Sequence, residues 1–81
     1  MRVYLATFSS THAALAFEGA FEGQGALVPV PPTIRAGCGM AWRFVAPDDA
    51  AAHDRAAATA RAAGLADADW QLHLLSSQAE P

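Results

Sequence analysis

Chemistry in this 81-residue chain has few places to reside, and the most reactive is Cys38, the only cysteine, set between Gly37 and Gly39 with Arg35 three residues before it. A cysteine acts through its thiolate, which a nearby positive charge or a helix N-terminus favours. A second polar run, Ser9-Ser10-Thr11-His12, offers three hydroxyls and an imidazole. Such groups can donate hydrogen bonds to a thiolate, and His12 can serve as base or cationic partner. Other chemistries lack their residues. One cysteine with scattered His53 and His73 does not supply the three or four converging ligands of a zinc site. The serines have no nucleophile-elbow setting, and no glycine-rich phosphate motif occurs. Asp48 and Asp49 read as helix-start residues rather than an acid–base pair.

Composition narrows the partners. The formal net charge is -3, and the five basic residues, Arg2, Arg35, Arg43, Arg55 and Arg61, are scattered. No basic patch suits nucleic acid and no polybasic stretch suits a membrane surface. The opening run, Met1 to Phe8, lacks the apolar stretch of a signal peptide, and no segment reaches membrane-spanning length. One cysteine forms no internal disulfide, so a cytoplasmic setting is expected. Hydrophobic residues make up 53% of the chain, enough for a core. Residues 1–75 are expected to form one domain, with 76–81 a frayed tail.

The elements that would position Cys38 follow from the residue pattern. Arg2 to Phe8 alternates as a strand, with Val3, Leu5 and Thr7 on one side and Tyr4 and Ala6 on the other. Ser9, Ser10 and Thr11 can cap a helix whose apolar positions are Ala14, Phe17 and Phe21; Gly19 weakens it by roughly 1 kcal/mol. Ala26 to Pro31 predicts an edge strand, because Pro29 and Pro31 strip donors from the same side. Met40 to Val45 predicts a third strand, with Met40, Trp42 and Phe44 on its core face. Pro47 and Asp48 open an alanine-rich helix reaching Ala63, which Gly64 closes. Trp70, Leu72 and Leu74 mark a fourth strand.

This β-α-β-β-α-β order predicts an α+β, ferredoxin-like fold: a four-stranded antiparallel sheet in order 4-1-3-2, with two helices on one face. Strand 2 then falls at an edge, as its prolines require. The end of strand 1, the start of helix 1 and the loop between strands 2 and 3 meet at one end of the sheet. Thr7 to His12 should therefore lie beside Arg35 to Gly39, with Cys38 close to the helix 1 N-terminus. The flanking glycines are expected to leave its sulfur open to another molecule. A packing reading stands alongside, since lone cysteines are often buried as small hydrophobes and Gly37 and Gly39 can simply shape a hairpin.

The stretch Thr7-Phe8-Ser9-Ser10-Thr11-His12-Ala13-Ala14-Leu15, then Glu18, Val28-Pro29-Val30-Pro31, Cys38-Gly39 and Arg43-Phe44 resembles the selenium/sulfur (Se/S) carrier protein-like family of small bacterial domains. The resemblance runs from about Val3 to Gly64. Pro32-Thr33, the glycines Gly19 and Gly23, and the alanine-rich second helix depart from the family pattern. The resemblance implies a carrier rather than a stand-alone enzyme. Cys38 would hold sulfur or selenium as a persulfide or selenosulfide, supported by Gly37, Gly39, Arg35, Ser9, Ser10, Thr11 and His12. It further implies a protein partner, such as a donor or acceptor enzyme for sulfur or selenium, and no bound cofactor. Two other readings of Cys38 remain: a structural residue in a binding or regulatory module, or a thiol redox sensor. A homodimer through strand 4, which has no proline to blunt it, is also open.

Overall fold

The computed structural model of the chain describes residues 1–34 and 37–76. Its elements are β1 (Arg2–Phe8), α1 (Thr11–Ala20), β2 (Ala26–Pro29), β3 (Met40–Ala46), α2 (Asp49–Ala62), a 3-10 turn (Asp67–Asp69) and β4 (Trp70–Ser76). The four strands form one antiparallel sheet in the order β2-β3-β1-β4. This is the predicted α+β arrangement, with β2 at one edge and β4 at the other.

Alternation along the central strands sorts the side chains. Tyr4, Ala6 and Phe8 of β1 and Trp42, Phe44 and Ala46 of β3 join Ala13, Ala14 and Phe17 of α1 and Ala52, Ala56 and Ala60 of α2 in one buried cluster. Both helices therefore cover the same face. Phe17 is fully buried, 5.1 Å from the Phe8 ring, and Phe21 bridges Trp42 and Phe44 at 5.3 and 5.2 Å. Alanine on the inward side of α2 lets that helix approach these rings closely. Val3, Leu5 and Ala41 are buried as well but stand outside this cluster, as alternation requires of the other face.

Capping sets the helix ends. Ser10 is the N-cap of α1 and its side chain accepts from the Ala13 amide at 3.1 Å. Asp48 does the same for α2 with the Ala51 amide at 2.8 Å. Gly64, at φ +78°, closes α2 with paired bonds, its own amide to the Arg61 carbonyl and that of Leu65 to the Ala60 carbonyl.

The boundaries differ modestly from expectation. β2 stops at Pro29 rather than Pro31, although the Val30 amide still reaches the Gly39 carbonyl at 3.0 Å. Ser76 belongs to β4 rather than to a tail, and the expected tail beyond it, 77–81, lies outside the described residues. Among the described residues, no helix is long and apolar enough to cross a membrane.

Candidate functional site

β1 ends at Phe8, and its carbonyl accepts the Cys38 amide at 3.0 Å. That bond carries the β2–β3 loop across the end of the sheet to the first turn of α1. Gly37 makes the approach possible: a β-carbon there would lie 2.4 Å from the Ser9 carbonyl oxygen. No such constraint acts at Gly39, where an added β-carbon meets open space.

The sulfur of Cys38 receives two polar neighbours. The Met40 amide donates to Sγ at 3.3 Å, and the Thr11 hydroxyl shares a hydrogen bond with it at 3.7 Å. Cys38 thus sits beside the first residue of α1, where the topology predicted it. The donors, however, are not the helix amides: the Ser10 side chain takes the Ala13 amide for itself. The arrangement offers the sulfur one main-chain N–H, one hydroxyl and a place beside the N-terminal end of α1.

The expectation of an open sulfur is not met. Cys38 is 5% exposed and belongs to the core cluster. The cause is the same close packing: with Gly37 against Ser9 and the Cys38 amide on Phe8, the side chain turns under the loop. The residue still borders a shallow surface depression lined by Val30, Pro31, Pro32, Ile34 and the Gly37–Gly39 turn.

The other expected site residues divide. Thr11 reaches the sulfur, and Ser10 is committed to the helix cap. Ser9 is tied to Asp69, its hydroxyl donating to Oδ1 at 3.3 Å and its amide to the carbonyl at 2.9 Å. His12 is exposed on the first turn, with no hydrogen bond to the sulfur among the described residues. Arg35 lies outside the described residues.

Two contributors were not read from the sequence. The Met40 amide is main chain, so no residue type announces it. Asp69 fastens the start of β4 beside the site: its Oδ2 accepts the Ala66 amide at 2.9 Å, while Oδ1 accepts Ser9. A second depression on the far side of Gly37 runs from Thr7 and Ser9 to Asp69 and Gln71. Among the described residues, no group of three or more His, Cys, Asp or Glu side chains could hold a metal ion.

A family model described as "Putative Se/S carrier protein-like" matches residues 3–65. The chain belongs to that family. The matched span runs from the second residue of β1 through α2, includes Gly37–Gly39, and stops short of β4. No curated protein and no solved structure matches the chain.

Proposed function

We propose that this member of the carrier-like family is a cytoplasmic sulfur or selenium carrier that holds the chalcogen on Cys38 and delivers it to a partner protein. Family membership supports the class of function. The observation that carries the residue assignment is the Met40 amide aimed at Cys38 Sγ at 3.3 Å, with the Thr11 hydroxyl on the same atom. These two groups hold the sulfur in one place at the loop–helix junction, the position from which a cysteine acts as nucleophile.

In the loading step the Cys38 thiolate attacks the outer sulfur of a donor's persulfide. An S–S bond forms to Cys38, the donor's S–S bond breaks, and the donor leaves as a thiolate, so no external oxidant is needed. Selenium follows the same course, giving a selenosulfide. Delivery reverses the exchange on an acceptor. Because Cys38 is buried, both steps require the Gly37–Gly39 turn to present the sulfur toward the depression lined by Val30 and Pro31.

The test is to incubate the reduced protein with a cysteine desulfurase and cysteine, then measure intact mass without reductant beside a Cys38→Ser control. A gain of one sulfur atom, absent from the control, is expected. A second reading, a binding module in which Cys38 is packing, has one observation in its favour: the 5% exposure of that residue. It predicts no sulfur gain and a thiol that resists alkylation until the protein unfolds.

A further inference from the structure

We propose that β4 is the pairing edge of a homodimer, in which two copies join their sheets into one of eight strands. The inference is independent of the carrier reading. The two edges of the sheet are built differently. β2 carries Pro29 and is followed by Pro31 and Pro32, which block strand addition. β4, Trp70–Ser76, has no proline, glycine, Asp, Glu, Lys or Arg along its length. Natural edges are usually blunted by charge or proline, and an unblunted one is a template for another strand.

The side chains of β4 select a second copy as occupant. Its pairing with β1 is regular from Trp70 to Leu74 and then slips at Leu75, where a bulge ends the flat segment. Antiparallel self-pairing of Trp70–Leu74 about Leu72 sets Trp70 against Leu74 of the second copy and Leu72 against its own equivalent. All three share the helix-covered face, since they pair with Phe8, Tyr4 and Ala6 of β1. Leu74 is 48% exposed in the single chain, whereas Trp70 and Leu72 are half-buried beside a groove completed by His53, Ala57 and Asp67. The two-fold axis seats each exposed leucine against the other copy's tryptophan, an apolar cross-strand pair. The dimer runs the two α2 helices antiparallel, so their dipoles oppose.

The arrangement also places the cysteines. Gly37 and Trp70 share one depression, so the Cys38 turn lies at the Trp70 end of β4. Antiparallel pairing sends the two Trp70 ends apart, and the two Cys38 sites face opposite ends of the joined sheet. The dimer therefore forms without a disulfide.

Sedimentation equilibrium of the full chain in reductant, across a concentration series, tests this. The expected result is a monomer–dimer equilibrium, unchanged in Cys38→Ser. Leu74→Lys, with an unchanged far-UV circular dichroism spectrum, should raise the dissociation constant roughly ten- to thirtyfold. Leu15→Lys, at a leucine on α1 that is somewhat more exposed (55%), should leave it alone. A monomer throughout the series overturns the proposal, including one that takes up a partner's strand at this edge. So does a dimer weakened equally by both lysines or indifferent to Leu74→Lys.

Discussion

The Met40 amide points back at the sulfur of Cys38, two residues earlier, at 3.3 Å. Since an amide cannot be removed by a side-chain substitution, the tunable hydrogen-bond partner is Thr11, 3.7 Å from the same sulfur. Thr11→Val keeps the shape and deletes the hydroxyl. A hydrogen bond of ordinary net strength is worth about 1 kcal/mol, so alkylation or sulfur loading of Cys38 should slow by roughly three- to tenfold. Rates of iodoacetamide labelling, followed by intact mass at fixed pH, measure this. Equal rates in both proteins would remove Thr11 from the site.

The two glycines around Cys38 should behave oppositely. Gly37→Ala forces a methyl group to within 2.4 Å of the Ser9 carbonyl oxygen, which is main chain and cannot swing away. The turn must lift off α1, at a cost on the order of 1–3 kcal/mol, with faster labelling of Cys38. Gly39→Ala meets nothing and should change stability by less than about 0.5 kcal/mol. Urea unfolding of the two variants, paired with thiol labelling, separates a loop held by packing from one that merely turns.

A similar steric argument applies beyond the site. Gly25 lies against the edge of the Trp42 indole, where an added β-carbon would sit 2.5 Å from Cε2 and Cζ2. Trp42 is 6% exposed and holds the core between β2 and α1, touching Phe21. Gly25→Ala should therefore destabilise the domain by about 1–3 kcal/mol and shift tryptophan fluorescence, as the ring is displaced from its packed position.

Much of this frame is legible in the residues. Pro29 and Pro31 placed β2 at an edge because a missing N–H has a direction, and alternating apolar residues placed β1 and β3 in the core. The meeting of Cys38 with the start of α1 followed from topology alone. What was not legible is how closely the turn packs. Glycine is compatible with exposure and with close approach alike, and only the Ser9 carbonyl under Gly37 decides between them. Main-chain donors such as the Met40 amide carry no residue signature. Spacing along the chain likewise gives no sign that His73 Nε2 pairs with Thr7 Oγ1 at 3.0 Å, because the β1–β4 register brings together residues 66 positions apart.

At the opposite end of the sheet, Arg2 and Tyr4 converge on one carboxylate. Tyr4 Oη donates to Asp49 Oδ1 at 2.5 Å and Arg2 Nη1 to the same oxygen at 2.9 Å, pinning the first turn of α2 to β1. The Tyr4 hydrogen bond, aided by Arg2, holds the Asp49 carboxyl below its ordinary range. Burial, reinforced by the adjacent carboxylate, pushes the Tyr4 phenol above its own. The signs then differ. A carboxyl depressed in the folded state stabilises above its unfolded value, about 4, and that contribution is lost as pH falls through the folded value. A phenol raised in the folded state contributes fully below its unfolded value, about 10, and is lost as pH rises through the folded value. Thermal melts across pH should show stability falling at both extremes. Tyr4→Phe should remove this phenol's alkaline loss and soften the acid one, since Asp49 keeps only Arg2. An alkaline limb unchanged in Tyr4→Phe would show that the Tyr4 phenol does not set it.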